Sequence, residues 1–165
     1  MLQISVRRHP GEDAVTNPEA PQNSDPNFDK YPDTILVFDD GLRLDLTREL
    51  TPDDHERLRT RFKGTFAVLT AADPFGQTVS DAENRSSQRS LEEALRSISR
   101  NVTRVCGEAL DGSHSEDGFG CEATLDQAAQ IAREFRQSAF FWYDGFEFSL
   151  VESEGATRVF RLPRK

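Results

Sequence analysis

Six polar residues that could together bind an anion follow a short apolar segment. They are Thr70, Asp73, Ser80, Glu83, Asn84 and Arg85. The pattern places them where a buried strand ends and a helix begins, a position at which backbone N–H groups attract anions. Arg85 would add a charge-assisted hydrogen bond. The same residues also suit a structural role, because Ser80 and Glu83 form a capping box and Asp73 precedes a proline. We expect the structural role.

Residues 113–116, Ser-His-Ser-Glu, contain the side-chain types of a hydrolase but not their arrangement. A nucleophile, a base and an orienting acid must meet in space, and neighbours within one loop rarely do. Two acidic pairs, Asp39–Asp40 and Asp53–Asp54, fall in a turn and in the first turn of a helix, which explains both without acid–base chemistry. The sequence therefore predicts no catalytic residue. It does not decide whether the protein is an enzyme, but it favours a non-catalytic protein.

The spacing of the potential ligand residues fits no known metal or cofactor site. His9, His55 and His114 are far apart, and the two cysteines fit no CxxC spacing. There is no glycine-rich phosphate loop and no dinucleotide-binding fingerprint. We expect neither a metal nor a cofactor.

Length and charge narrow the classes of function. The chain has 165 residues and suits one domain. Its 20 basic and 29 acidic residues give a net charge of −9, which disfavours nucleic acid and favours a protein partner with a basic surface. No apolar run approaches the ~20 residues of a membrane span. The first residues lack a secretory signal, so we expect a cytoplasmic protein with Cys106 and Cys121 reduced.

The N-terminal residues differ in composition from the rest of the chain. Residues 1–32 hold five of the eight prolines, separated mostly by polar residues. Such a segment buries too little apolar surface to offset chain entropy. We therefore expect a flexible leader over 1–32 and a single domain over 33–165.

Alternation, turn residues and capping boxes divide the domain into elements. They predict a β-hairpin over 34–46, a helix over 51–63, a strand over 66–71, a helix from 80 to about 100, a strand over 102–110, a polar loop over 111–118, a short strand at 119–121, a helix over 124–135, a hairpin over 139–150 and a last strand over 157–162. In the second hairpin, Phe146, Phe148 and Leu150 are expected on one face. Hairpins at both ends and three helices between them indicate an α+β fold with a mixed sheet.

The segment from 140 to 148 contains six aromatic residues, more than one buried face needs. We expect most of them in the core and some on an interface. The predicted partner-binding residues are Phe140, Trp142, Tyr143, Asp39 and Asp40.

Four blocks carry a resemblance to a known family: 69–74, 80–84, 111–113 with Glu116, and 133–139. On these blocks, residues 66–151 resemble domain of unknown function 3293, a bacterial family. Asp73 departs from its pattern, which has asparagine there, and His114 replaces a large aromatic residue. The resemblance implies a small cytoplasmic domain without an assigned activity, and it supplies no catalytic residue.

These observations favour a non-catalytic protein-interaction domain, such as an accessory subunit of a larger assembly. One alternative is a small enzyme or an anion- or nucleotide-binding protein that uses residues 70–85. The other is an acidic mimic of nucleic acid, since a net charge of −9 could target a nucleic-acid-binding protein.

Overall fold

The computed structural model describes residues 23–165, which form three α-helices and eight β-strands. The helices are α1 (Pro52–Arg61), α2 (Asp81–Ile98) and α3 (Leu125–Glu134). The strands are β1 (Thr34–Phe38), β2 (Arg43–Asp45), β3 (Phe66–Leu69), β4 (Val102–Ala109), β5 (Ser115–Glu122), β6 (Ala139–Tyr143), β7 (Phe148–Glu152) and β8 (Arg158–Arg161). The expected α+β class and three helices are confirmed.

All eight strands join one curled antiparallel sheet in the order β2–β1–β4–β5–β3–β6–β7–β8. The expectation of a mixed sheet is therefore wrong. The crossover helix α2 connects β3 to β4, and α3 connects β5 to β6, so each helix joins two strands that run parallel. One strand lies between the members of each pair, β5 in the first and β3 in the second, and this makes every hydrogen-bonded pair antiparallel.

The central strand β3 separates two hydrophobic cores. Phe66 and Val68 belong to the core on one face, which also contains Leu58 of α1. Ala67 and Leu69 belong to the core on the other face, which is covered by α2 and α3. All four β3 side chains are buried, because the sheet is covered on both sides at this point.

Each α-helix among the described residues begins with a capping box. The pairs are Thr51 with Asp54, Ser80 with Glu83, and Thr124 with Gln127. In each pair the first side chain accepts from a backbone N–H one turn later and the second accepts from the N-cap N–H, so two donors gain partners.

Strand β5 begins earlier than the sequence predicts. The expected polar loop over 111–118 is wrong from Ser115 onward, because Ser115 and the next residues pair with β4. Long pairing with β4 places Glu116 and Asp117 within the sheet despite their low strand propensity. Phe146 does not share the buried face of Phe148 and Leu150 as expected, since it lies in the β6–β7 turn and is 82% exposed.

Residues 23–32, part of the expected leader, pack against the domain. Asn23 donates through Nδ2 to Glu152 Oε1 (2.9 Å), and Ser24 Oγ donates to Glu154 Oε2 (2.8 Å). The Phe28 ring contacts the Phe160 ring edge-on, with centroids 6.0 Å apart. The chain's own β7–β8 region therefore holds this segment, while the expectation for residues 1–22 lies outside the described residues.

Gly118 allows β5 to approach the end of β3. A Cβ atom at this position would overlap the carbonyl oxygen of Leu69, a backbone atom that cannot move aside cheaply. We expect Gly118→Ala to lower the free energy of unfolding by about 1–3 kcal/mol, as for other overpacked sites. Gly107→Ala on β4 is the matched control, since its Cβ would meet Thr34 at an ordinary 3.6 Å. Urea unfolding of both variants tests this, and equal stability of the two would contradict the role of Gly118.

Candidate functional site

Hydrogen bonds join the end of β3 to α2 and β5 in a region that we call the polar corner, formed by Thr70, Asp73, Asn84, Gln88 and Glu116. Thr70 Oγ1 donates to the carbonyl oxygen of Asp117 (2.9 Å) and accepts from Gln88 Nε2 (3.0 Å). Gln88 Oε1 accepts from the backbone N–H of Ala71 (3.2 Å). These bonds fix where the chain leaves β3.

Asp73 and Asn84 bind each other through two hydrogen bonds of 2.9 Å. The Asp73 backbone N–H donates to Asn84 Oδ1, and Asn84 Nδ2 donates to Asp73 Oδ1. Asp73 has a φ of +42°, and Phe75, two residues later, has a φ of +52°. Both values are unfavourable for side chains with a Cβ, so the paired bonds hold the backbone in a strained turn.

The structure brings together only part of the predicted anion site. Thr70, Asp73 and Asn84 meet in the polar corner. Ser80 and Glu83 lie exposed at the start of α2, where each accepts the hydrogen bond expected of a capping box, and Arg85 is exposed on the same helix. The hydrogen bonds from Ser80 to the Glu83 carboxylate lower its pKa. These two residues thus have the structural role that we expected.

Beside the polar corner lies a buried acid, Asp25, that no pattern in the sequence indicated. The Asp25 carboxylate accepts a hydrogen bond from the Tyr31 hydroxyl. Burial, followed by this bond and the Asp25 charge, raises the pKa of Tyr31 far above its usual range. Burial also raises the pKa of Glu116, and the neighbouring Asp73 charge adds to this, although His114 Nε2 lies 3.7 Å from its carboxylate.

The charge of the polar corner is unsuited to an anion. The carboxylates of Asp25, Asp73 and Glu116 all act on Tyr31, so the local potential is negative. Within residues 23–165, no group of three or more His, Cys, Asp or Glu side chains could hold a metal ion. His9, one of the three weighed histidines, lies outside this range.

The predicted partner-binding aromatics are mostly core residues. Phe140 and Tyr143 are buried in opposite cores, which removes both from any partner surface. Trp142 is half-buried, and its Nε1 atom is buried without a hydrogen-bond partner among the described residues. Phe140 and Tyr143 are buried because β6 is an inner strand of the sheet, and successive side chains of a strand point to opposite faces.

The predicted carboxylates Asp39 and Asp40 are exposed, but both pair with Arg61 of α1. Arg61 Nη1 lies 2.8 Å from Asp39 Oδ1, and Nη2 lies close to Asp40 Oδ2. A backbone hydrogen bond from Leu42, with the Arg61 contact, lowers the pKa of Asp40. These acids close the β1–β2 turn against α1.

Phe146, the most exposed of the large hydrophobic residues among residues 23–165, lies at a groove that we call the C-terminal groove. Its volume is about 480 Å³. It is lined by Leu46, Arg48, Glu49, Leu50, His55, Phe146, Glu147, Phe148, Arg161, Leu162, Pro163 and Lys165. The groove therefore combines apolar walls with charged side chains.

His55 lies in this groove beside the buried Tyr143. His55 Nδ1 is 2.7 Å from the Tyr143 hydroxyl, which donates to the carbonyl oxygen of Gly145 at 3.0 Å. Because the hydroxyl has one proton and donates it to Gly145, it accepts from the Nδ1–H of His55. The Asp-Gly turn followed by phenylalanine is a signal for this region in the sequence, but Phe146 is not among the predicted partner-binding residues.

Comparison with known proteins confirms the family resemblance. Residues 69–140 match the family model described as Protein of unknown function (DUF3293). The matched segment runs from the end of β3 to the start of β6, so it contains the whole polar corner and none of the residues that line the C-terminal groove. The searches of curated proteins and of solved structures gave no significant match. Among the described residues, no helix has the length and apolar character needed to span a bilayer.

Ser80 provides a test of the structural role at the start of α2. We expect Ser80→Ala to cost about 1 kcal/mol of stability, because one N-cap hydrogen bond is lost. Thermal melts measure the loss, and calorimetry with inorganic phosphate measures anion binding. A variant that melts like the parent but loses phosphate binding would overturn the structural role.

Glu116, a half-buried carboxylate, provides a test of the charge at the polar corner. Its pKa is raised by folding, so the native state holds its proton to higher pH and its contribution to stability declines as pH rises through that pKa. We expect Glu116→Gln to melt at a higher temperature than the parent at pH 7, with the difference vanishing near pH 4. Asp117→Asn, an exposed neighbour on β5, is the control. A Glu116→Gln variant that is less stable at pH 7 would show that the carboxylate itself stabilises the fold.

Proposed function

We propose that this chain is a non-catalytic protein-interaction domain, such as an accessory subunit of a larger assembly, and that a partner docks in the C-terminal groove. The observation that carries the proposal is the position of Phe146, a large apolar side chain that is 82% exposed beside a groove with apolar walls. Aromatic residues in such positions are the usual anchors of protein interfaces.

The turn that presents Phe146 is held in one conformation before any partner binds. The Asp144 carboxylate accepts from the backbone N–H groups of Phe146 (2.8 Å) and Glu147 (2.9 Å). A fixed turn reduces the conformational entropy that docking would cost. This supports a binding role for Phe146 over an accidental exposure.

The walls of the groove are anchored in the core beneath it. Phe148 and Leu162 line the groove and are also buried members of the core that contains Phe66. Leu50 is half-buried against the same core. A partner side chain that entered the groove would therefore meet a rigid apolar surface.

The remaining features of the proposal follow from composition. The net charge of −9 favours a partner whose surface is basic where it contacts the domain outside the groove. Cys106 and Cys121 are free thiols, which supports a reducing, cytoplasmic setting. Burial raises the pKa of the Cys121 thiol to about 11, so this residue suits packing and not nucleophilic chemistry.

The alternatives have weaker support. An anion or nucleotide at residues 70–85 would meet the acidic polar corner, although the strained backbone at Asp73 and Phe75 is of the kind found at functional sites. A nucleic-acid mimic needs unpaired carboxylates in a row, and Asp39 and Asp40 are instead paired with Arg61.

Phe146→Ser tests the proposed docking site. We expect the variant to fold as the parent does, since Phe146 contributes little to the core, and to lose a partner captured from native lysate by the parent. Leu110→Ser is the matched control, because Leu110 is also exposed (52%) but lies in the β4–β5 turn. Titration of the purified partner should show affinity about tenfold weaker for Phe146→Ser. Equal affinity of both variants would contradict the docking site.

A further inference from the structure

We infer that the open edge of β8 binds an extended, acidic segment of the partner by adding it to the sheet as a further strand. This inference rests on the proposed function and names the chemistry of the partner. β8 is the last strand of the sheet, so among the described residues it pairs with β7 alone. Arg161 belongs both to β8 and to the groove, so the two surfaces are continuous.

The hydrogen-bond register shows which backbone groups of β8 face outward. Leu162 N–H donates to the Phe148 carbonyl at 2.9 Å, just beyond the end of β8. In an antiparallel ladder such bonded pairs recur at every second residue, so Phe160 and Arg158 also direct their backbone groups to β7. The N–H and C=O groups of Val159 and Arg161 then point away from β7.

Two apolar side chains of this edge can be covered by apolar residues of an added strand. Val159 is 48% exposed and Phe160 is 37% exposed, and they lie on opposite faces of β8. An added strand would cover part of both side chains as it formed backbone hydrogen bonds. In binding by strand addition, backbone hydrogen bonds provide affinity and side-chain contacts provide specificity.

Charge identifies the partner segment as acidic. Residues 158–165 contain four cations and no acid, in a chain whose net charge is −9. Arg158 already pairs with the buried carboxylate of Glu152, whereas Arg161, Arg164 and Lys165 are exposed. The Arg161 side chain is largely exposed even though its Nε lies 3.1 Å from Glu147 Oε1. Acidic residues on an incoming strand would meet these cations across the edge.

The same charges oppose pairing with a second copy of this chain. Only Val159 and Arg161 direct their backbone groups outward, so a two-fold antiparallel pair of β8 strands can place Arg161 of one copy directly opposite Arg161 of the other. A pair centred on Phe160 instead sets the two Arg161 residues at diagonal positions. Like charges at directly opposite positions destabilise strand pairs, and charged edge strands protect proteins against self-association. The occupant is therefore a different, acidic segment.

Fluorescence anisotropy with the full chain tests this inference. The probes are three labelled eight-residue peptides in which valine alternates with glutamate, lysine or serine. Val159→Pro removes one outward N–H without breaking a bond to β7, since proline is tolerated at an edge whose N–H faces solvent. Val159→Thr keeps that N–H and is the matched control, and Arg161→Glu reverses one charge.

We expect the glutamate peptide to bind the parent at least about tenfold more tightly than the lysine peptide, with affinity that falls as salt rises. Val159→Pro and Arg161→Glu should each lose this binding about tenfold, whereas Val159→Thr should retain it. Equal binding of the glutamate and lysine peptides, or full binding by Val159→Pro, would overturn the inference.

Two further outcomes identify another occupant and also overturn the inference. One is a dimer in sedimentation that Val159→Pro abolishes, which would indicate pairing between copies. The other is peptide binding that requires deletion of residues 1–22, which would indicate that the chain's own segment occupies the edge. Failure of all these peptides leaves the Phe146→Ser result unaffected, so the docking site and the edge are tested separately.

Discussion

Burial of β3 on both faces is the constraint on which the other elements depend. Its four apolar side chains alternate between two cores, so one helix layer cannot cover them all. α1 covers one face, and α2 and α3 cover the other. The crossovers that bring α2 and α3 to the same face also insert β5 and β6 beside β3. The close approach at Gly118 follows, because β5 must run directly against the end of β3.

The polar corner and the C-terminal groove differ in whether their side chains already have partners within the chain. In the polar corner, Thr70, Asp73 and Asn84 form hydrogen bonds with one another and with nearby backbone groups. In the groove, Phe146 is exposed to solvent on a turn held by Asp144. A region whose polar groups are already paired stabilises the fold. Covering an exposed apolar side chain with a partner lowers the free energy, and so favours binding.

Local signals predicted much of the fold, and long-range pairing explains what they missed. Capping boxes and alternation identified the helices and most strands because these patterns act over a few residues. The start of β5 at Ser115 depends on β4, and the exposure of Phe146 depends on the turn that Asp144 fixes. Asp25 and Tyr31 lie in a stretch whose composition resembles a disordered segment, so no local pattern could place them beside Glu116. The corner was found in part because Thr70, Asp73 and Asn84 adjoin a capping box.

The position of the single tryptophan has a consequence for spectroscopy. Trp142 belongs to the core beneath α2 and α3, while Tyr143, the next residue, belongs to the core beneath α1. Indole emission therefore reports the environment of one face of the sheet. Tyrosine absorbance reports the other face, because Tyr143 belongs to that core and Tyr31, the second tyrosine, packs against it. Loosening of either helical layer can thus be followed by its own intrinsic chromophore, without a label.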